Sequence, residues 1–228
     1  MRNCYYVDSR GPDSEQFQWA VKMFFSKIKA KEIIIAVPYK CNLEGPVRAY
    51  FGDVIITELL SANKVIMEKT KFFLVTKNSG PVSSFSGAAI MIYPSRDLLD
   101  KIDDLTGVTD VLMVPWSDEN IYDWAPRWNA IEIISQKRFG FVTLSVKVQE
   151  RIDTLDSAVN SETGLRHPSD RCYAIKLFKS MKSEGLTINP VEIKNYLIAR
   201  KNWSARNANM VFNVAEKVLK GSLFRNRG

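Results

Sequence analysis

Charged, hydroxyl-bearing and aromatic side chains follow several short apolar runs of the sequence, at the point where each run ends. They are Asp8, Ser9 and Arg10, then Lys40, then Lys77 and Ser79, then Ser95 and Arg96, and finally Trp116, Ser117 and Asp118. A guanidinium group suits the geometry of phosphate and carboxylate, and neither Arg10 nor Arg96 is needed to form a turn. The set therefore predicts a binding site for an anionic, nucleotide-like ligand.

A second interpretation explains the serine and aspartate residues of this set without a ligand. Ser and Asp cap helices and form turns wherever a strand leads into a helix. No Gly-x-Gly-x-x-Gly follows the first apolar run, and Gly-x-x-x-x-Gly-Lys-Ser/Thr is absent from the chain. An ordinary NAD or ATP site of those kinds is not expected, and the sequence identifies no cofactor.

Residues that could act as nucleophile, base or soft metal ligand are few. His167 is the one histidine, and a catalytic role would require its segment to fold back over the loops described above. Cys4, Cys41 and Cys172 are far apart in the sequence, which excludes a Cys-x-x-Cys metal site and a disulfide framework. No catalytic residue is assigned and no metal site is predicted.

Three aspartates leave a route to enzyme chemistry open. Asp8, Asp97 and Asp118 follow different apolar runs, and hard carboxylate oxygens could hold Mg²⁺ there. All three also fit helix-start positions. A metal-assisted hydrolase or transferase of a phosphorylated substrate is thus an alternative function.

An aromatic segment follows the fifth apolar run. Residues 115 to 128 contain Trp116, Tyr122, Trp124 and Trp128. The segment could fold as a lid whose rings stack on a base or sugar, or as a packing layer that seats the C-terminal domain.

The apolar runs themselves predict the fold. Strands are expected at residues 4–8, 32–37, 72–76, 88–93, 110–114 and 130–134, with helices at 13–29, 47–60 and 98–105 between them. Near-continuous apolarity in the strands is typical of a parallel sheet that is covered on both faces. The expected fold class is therefore α/β, with a Rossmann-like, doubly wound, mostly parallel sheet, whose ligands bind at the carboxyl ends of the strands.

The pattern changes in the last third of the chain. Residues 1–138 are predicted to form the α/β domain, residues 139–160 a connecting helix and residues 161–168 a linker. Residues 169–228 contain three helical patterns with caps at Ser169, Asn189 and Ser204, which predict a small all-α bundle.

The surplus positive charge lies in the same part of the chain. Residues 1–150 contain 18 Lys or Arg and 18 Asp or Glu, whereas residues 151–228 contain 14 and 7, which accounts for the net charge of +7. Such a segment favours a nucleic acid partner, and a short turn between the last two helices is compatible with a helix-turn-helix. The candidate nucleic-acid contacts are Lys194, Arg200, Lys201, Arg206, Asn207, Lys217 and Lys220, with Arg225 and Arg227 as further phosphate contacts. A protein-docking bundle is the competing interpretation.

Together these features predict a regulatory or sensor-type protein: the α/β domain binds the anionic ligand, and the basic helices contact nucleic acid or another macromolecule. Besides the hydrolase or transferase, an assembly module without small-molecule chemistry is a third hypothesis. The longest apolar runs are too short for a membrane helix, so a cytoplasmic location without a membrane partner is expected.

Overall fold

The computed structural model describes residues 2–79 and 85–221. The chain divides into two compact units, Met1–Gly140 and Phe141–Gly228. The division falls two residues from the predicted end of the α/β domain at residue 138.

The first unit contains a seven-stranded sheet. Its strands are β1 (Asn3–Tyr6), β2 (Glu32–Ala36), β3 (Lys64–Met67), β4 (Thr70–Val75), β5 (Gly87–Ile92), β6 (Val108–Val114) and β7 (Ile131–Glu132). Their order across the sheet is β3-β4-β2-β5-β6-β1-β7. Every neighbouring pair is parallel except β3 and β4. The predicted mixed α/β class with a mostly parallel sheet is confirmed, and the topology is compatible with a Rossmann-like fold.

Helices cover both faces of this sheet. They are α1 (Ser14–Lys27), α2 (Pro46–Phe51), α3 (Asp53–Ala62), α4 (Arg96–Asp103) and α5 (Asp118–Trp128). Alternate residues of each strand point to opposite faces, so Ile33 and Ile35 pack in one core with α1, α2 and α3. Ile34 and Ala36 pack in the other core with α4 and α5. A sheet buried on both sides explains the near-continuous apolarity of its strands.

The first helix forms as its pattern predicts. Asp13 is its N-cap, and the carboxylate accepts a hydrogen bond from the Gln16 amide at 3.0 Å. Phe17, Val21 and Phe24 follow at helical spacing and are fully buried against the sheet.

The predicted second helix is instead two helices, which is a correction. Gly52 lies between α2 and α3 with φ of 83°, a backbone conformation that ends the first helix and that few other residues adopt readily. The apolar residues on both sides of Gly52 still face the same core, which is why their spacing resembled one helix.

Two strands differ from the sequence prediction, which is a further correction. β3 was not predicted, because it has four residues and only one of them, Val65, is partly buried. The predicted strand at residues 130–134 is reduced to β7, which pairs over two residues with β1.

The topology brings particular loops together at the carboxyl edge of the sheet. β1 and β6 are neighbours, yet β1 leads into α1 on one face and β6 leads into α5 on the other. Adjacent strands whose connections diverge in this way open a space between their loops, which is where ligands bind in open α/β sheets.

The described part of the second unit, up to residue 221, contains four longer helices. They are α6 (Val146–Ala158), α7 (Pro168–Ser183), α8 (Pro190–Lys201) and α9 (Ala205–Leu219). α6 contacts α7 and α8, and α9 contacts α7 and α8. The Tyr196 hydroxyl on α8 donates to Asp153 on α6 at 2.8 Å, and the indole of Trp203 donates to Asp156 at 2.7 Å.

Except for residues 139 and 140, the residues expected to form a connecting helix and a linker are within this second unit. α6 is attached to α8 by the contacts just described. In the segment between α6 and α7, Gly164 and Leu165 are buried in a 3-10 turn. The Asn207 amide on α9 donates to the carbonyls of Ser161 and Glu162 at 2.9 and 2.8 Å. The segment is therefore packed against α9.

Across the described ranges, no helix combines the length and the apolar character that a bilayer span requires.

Candidate ligand-binding site

Hydrogen bonds join the three loops that follow β1, β5 and β6. The Gly11 amide donates to the Trp116 carbonyl at 3.1 Å, which connects the first loop to the third. The Asn120 side-chain amide donates to the Pro94 carbonyl at 3.0 Å, and its oxygen accepts from the amides of Trp116 and Ser117. The loops thus form one connected surface at the carboxyl edge.

This surface presents Arg10, Tyr93, Ser95, Trp116 and Asp118, which we call the Tyr93 cluster. Arg10 and Asp118 form an ion pair, and the rings of Tyr93 and Trp116 meet edge to face with centroids 5.3 Å apart. Trp116 is 54% exposed, so part of its indole ring faces solvent.

Tyr93 has an unusual backbone conformation. Its φ is 50°, in the left-handed region that bulky side chains rarely adopt. Its amide donates to the Val114 carbonyl of the neighbouring strand at 2.8 Å, which holds the backbone in place. Such conformations cost on the order of 1–3 kcal/mol and concentrate at functional sites.

Two buried hydroxyl groups in the cluster lack a hydrogen-bond partner among the described residues: Tyr93 Oη and Ser95 Oγ. Ser95 is the N-cap of α4, but its side chain does not accept the hydrogen bond from the helix that a serine N-cap usually receives. Burial, together with the charge of Asp13, raises the pKa of Tyr93, so its hydroxyl stays a proton donor at neutral pH. The hydrogen-bonding capacity of both hydroxyls is therefore unused among the described residues.

Arg10 is the cation of the cluster. Its guanidinium is 2.7 Å from an Asp8 carboxylate oxygen and also contacts the Asp118 carboxylate. The hydrogen bonds with Asp8 and Asp118 raise the pKa of Arg10 further above its usual value. All three side chains are about half exposed. Because one arginine meets two aspartates, these three side chains together carry one net negative charge.

An acidic pocket of about 580 Å³ lies next to residues of α1 and β7. Asp8, Asp13, Glu15, Trp19 and Glu132 are among its lining residues. The Glu132 carboxylate is buried and accepts hydrogen bonds from the backbone amides of residues 8, 134 and 135. Asp13 lines this pocket and its charge also acts on Tyr93, so the carboxylates of the pocket oppose an anion near the cluster.

Other residues of the predicted set lie outside the Tyr93 cluster. Lys77 forms an ion pair with Asp97 at 3.6 Å. Asp97 therefore has a different cationic partner from Asp8 and Asp118, which both pair with Arg10. The Ser79 hydroxyl accepts from the Thr76 amide at 2.7 Å, as a turn residue does. The Lys101 ammonium also donates to carbonyls of this turn.

The remaining members have local structural contacts. Lys40 donates to the Leu60 carbonyl at 2.6 Å, and Arg96 pairs with Asp123 at 2.6 Å. Ser9 is buried, with its carbonyl accepting from Arg10. Ser117 is the N-cap of α5 in a capping box with Asn120. For Ser79 and Ser117 the capping and turn interpretation applies.

The aromatic segment is mostly a packing layer. Trp124 is fully buried and Trp128 partly buried, and both indoles donate to the Asp103 carboxylate at 3.1 and 3.0 Å. Trp116 and Tyr122 are exposed.

Sequence reasoning missed Tyr93 and Asn120. Tyr93 ended a predicted strand and precedes a proline, a position that normally favours extended backbone, so no local signal indicates its left-handed conformation. Asn120 acts by joining two loops that are distant in the sequence, and only the folded topology reveals that role.

In the second unit, two of the predicted nucleic-acid contacts are buried. Lys194 and Asn207 are 6% and 4% exposed. Lys194 donates to the Asn209 side chain at 3.3 Å, and Asn207 binds the segment before α7. Since the start of α9 is packed against this segment, it does not present its asparagine to a base edge as a helix-turn-helix would require.

The other basic residues are differently placed. Lys201 pairs with Asp153 and Asp156, and Arg200 lies over the ring of Phe141 at 4.1 Å. Arg206, Lys217 and Lys220 are exposed on α9 or at its end. Arg225 and Arg227 lie outside the described residues.

His167 is exposed and precedes α7, where its ring is 2.7 Å from the Ser169 hydroxyl. Ser169 in turn donates to Asp170. The serine lies between the other two, so histidine and aspartate are not arranged as in a catalytic triad. Within residues 2–79 and 85–221, no group of three or more His, Cys, Asp or Glu side chains could hold a metal ion.

Comparison with known families gives one match. Residues 147–228 match a family model described as "Domain of unknown function (DUF1889)", a range that lies in the second unit. No curated protein and no solved structure matches the chain.

Proposed function

We propose that the first unit is a ligand-binding domain of a regulatory or sensor-type protein and that an anionic, nucleotide-like ligand binds at the Tyr93 cluster. The second unit contacts nucleic acid or another macromolecule. The observation that carries the proposal is the pair of buried, unpartnered hydroxyls on Tyr93 and Ser95, beside a strained backbone and an exposed tryptophan.

Energetic reasoning supports a ligand at this position. A buried hydroxyl without a partner costs about 1–3 kcal/mol. Two such groups and a left-handed tyrosine lie within three residues, at the edge of the sheet where ligands of this fold class bind. A ligand whose oxygens accept from Tyr93 Oη and Ser95 Oγ recovers this energy, and a planar ring can stack on Trp116.

The ion pairs of Arg10 permit an anion to compete. Exposed ion pairs contribute about 0–1 kcal/mol each, so a phosphate that binds the guanidinium through two oxygens can displace one of the carboxylates. The carboxylates of Asp8 and Asp118 then oppose the ligand's charge. We expect moderate affinity for a monophosphate and less for more highly charged ligands.

The alternative functions have less support. A metal-assisted hydrolase would use Asp8, Asp97 and Asp118, but Asp97 pairs with Lys77 while the other two pair with Arg10. An assembly module would use the aromatic segment, but Trp124 and Trp128 pack within the first unit. The cytoplasmic location stays a prediction.

The test is calorimetric titration of the full-length protein with AMP and GMP, and with adenosine and inorganic phosphate as their parts. Tyr93→Phe and Ser95→Ala should each weaken binding about tenfold, the equivalent of one hydrogen bond. Arg10→Gln should weaken the monophosphates and leave adenosine unchanged. Asp118→Asn should strengthen the monophosphates because it removes an opposing charge.

Arg48→Gln is the matched control. Arg48 also pairs with two carboxylates, Glu44 and Asp53, but lies on α2 and is not part of the cluster. It should bind all four probes as the wild type does. Wild-type protein that binds none of them, or equal affinities for wild type and Tyr93→Phe, would exclude this function of the cluster.

A separate measurement tests the second unit. Arg206 and Lys217 are eleven residues apart on α9 and therefore lie on nearly the same side of the helix. Fluorescence anisotropy with labelled duplex DNA and single-stranded RNA should show salt-dependent binding that the double variant Arg206→Gln/Lys217→Gln weakens. Lys176→Gln/Lys179→Gln, on α7, removes the same charge and should have a smaller effect. Equal effects of the two pairs, or no salt-dependent binding, would exclude this contact.

A further inference from the structure

Strand β3 forms one edge of the sheet. It pairs with β4, and no other strand of the described residues lies on its outer side. The outer side of an edge strand presents peptide N–H and C=O groups that another strand can pair with. Natural proteins usually block such edges with charged residues, prolines or bulges.

The middle of this edge is apolar and exposed. Ile66 is 67% exposed and Met67 is 40% exposed, and Val54 at the start of α3 is 67% exposed. A groove of about 750 Å³ runs between α3 and the strand, lined by Val54, Val65 and Phe72 among others. The exposed apolar side chains and the groove are features of an interaction surface.

The charges that flank Ile66 identify the partner. Lys64 lies two residues before Ile66 and Glu68 two residues after it. If two copies pair antiparallel about a two-fold axis at Ile66, each Ile66 faces its counterpart and each Lys64 faces a Glu68 of the other copy. The self-complementary pattern is what a two-fold interface requires.

Of the registers centred on Val65, Ile66 and Met67, only the one centred on Ile66 places Lys64 opposite Glu68. Centring the axis on Val65 places Lys64 opposite Ile66, and centring it on Met67 places Glu68 opposite Ile66. Within residues 2–79 and 85–221, neither Lys64 nor Glu68 forms an ion pair. Glu68 begins the hairpin turn with φ of 54°, so it contributes through its side chain and the ladder covers the residues before it.

We propose that a second copy of this chain binds at β3, antiparallel and centred on Ile66, to give one sheet that continues through both copies. The pairing covers Ile66 and Met67 and brings the exposed Val54 of each copy next to the interface. A four-residue strand is a small contact, and we expect a dimer with a dissociation constant on the order of micromolar.

The experiment measures dimerisation of the full-length protein by sedimentation velocity over a range of concentrations. Wild-type protein should show a reversible monomer-dimer equilibrium. Lys64→Glu and Glu68→Lys should each weaken the dimer about tenfold or more, because each places like charges opposite one another at both ends of the pairing. The double variant Lys64→Glu/Glu68→Lys should restore it. Ile66→Lys should abolish it.

An equimolar mixture of the two single variants gives a more specific test. One variant then carries acidic side chains at both positions and the other basic side chains, so the mixed dimer has opposite charges at every contact. It should form as strongly as the wild-type dimer although neither variant dimerises well alone.

Lys69→Glu is the matched control, since it makes the same change of net charge one residue beyond the pairing and should dimerise like the wild type. Circular dichroism checks that each variant is folded. The proposal is overturned if the wild type is monomeric at every concentration, if Ile66→Lys dimerises normally, or if neither the double variant nor the mixture restores the dimer.

Discussion

Polar side chains at the two ends of the parallel strands in the first unit, the amino edge and the carboxyl edge, differ in how completely they are buried and hydrogen-bonded. At the amino edge, the Asp103 carboxylate is 1% exposed and receives hydrogen bonds from Trp124 and Trp128 as well as ion pairs from Arg2 and Arg127. At the carboxyl edge, the Arg10 ion pairs are half exposed and two buried hydroxyls lack partners.

The difference separates polar groups that are fully hydrogen-bonded within the fold from polar groups that are not. Arg2 also donates to the Val108 carbonyl, so the amino-edge cluster joins the start of β6, the end of α4 and the end of α5. Its hydrogen-bonding capacity is used within the protein. In the Tyr93 cluster, two hydroxyls have no partner among the described residues.

Asp103→Asn should produce the largest loss of stability. The substitution removes the close carboxylate partner of Arg127, which is 3% exposed, and weakens the hydrogen bonds of two indoles. Because Arg127 keeps an ion pair with Asp100 at 3.4 Å, we expect a loss near the lower end of the roughly 3–5 kcal/mol that breaking a buried ion pair costs. Urea unfolding of the full-length protein measures the change. Asp97→Asn, on the same helix but 69% exposed, is the control and should change stability by less than about 0.5 kcal/mol. Similar small changes for both would contradict the distinction between the edges.

A pair of tyrosine substitutions should have effects of opposite sign. Tyr93→Phe removes an unpartnered buried hydroxyl and should stabilise the protein by about 1 kcal/mol. Tyr196→Phe removes a hydroxyl that donates to Asp153 at 2.8 Å and should destabilise it by about 1 kcal/mol or more. Thermal unfolding of the two variants measures both signs. Equal losses of stability would mean that Tyr93 Oη has a structural partner.

The half-buried cluster of Asp153 in the second unit should respond to pH. Burial acts to raise the pKa of Asp153, but hydrogen bonds from Lys201 and Tyr196 outweigh it and lower the pKa. The stabilisation is therefore fully present above the ordinary aspartate pKa of about 3.9 and is lost as the pH falls through the lower, folded value. Because the side chain is 38% exposed, we expect only about 1 kcal/mol.

Asp153→Asn should abolish that part of the acid dependence. Unfolding free energies measured from pH 6 down to about pH 2 should show a smaller fall for the variant than for the wild type. Parallel curves would show that the Asp153 contacts do not contribute.

Arg10→Gln should have the smallest effect on stability, within about 1 kcal/mol, because exposed ion pairs contribute little. The same variant is expected to lose affinity for the monophosphates. A stability loss comparable to that of Asp103→Asn would place Arg10 among the structural residues.

Local patterns predicted those parts of the fold that depend on neighbours in the sequence. Asp13 and Phe17 to Phe24 define α1 as expected, because capping and helical periodicity are properties of a short segment. The buried strands were recognised by their apolar runs. The short edge strand β3 has almost no buried side chain, and the break at Gly52 does not disturb the apolar spacing, so neither left a signal.

The sequence selected some of the residues of the Tyr93 cluster. Arg10, Ser95, Trp116 and Asp118 were selected because they follow strands, and the parallel topology does bring them to one edge. Lys40, Lys77 and Arg96 follow strands equally well, yet each binds a local carbonyl or carboxylate. Arg10 also pairs with carboxylates, those of Asp8 and Asp118, and only the folded structure shows that its partners differ in place from those of the other three cations.

The sequence by itself determined the mixed α/β class and the segregation of surplus positive charge in the last third of the chain, since the first follows from local apolar patterns and the second from a count of residues. Only the tertiary structure decided that β1 and β6 are neighbours, that Tyr93 is left-handed with an unpartnered hydroxyl, and that Asn207 is buried. These properties depend on which distant segments meet, and that is set by packing of the whole unit.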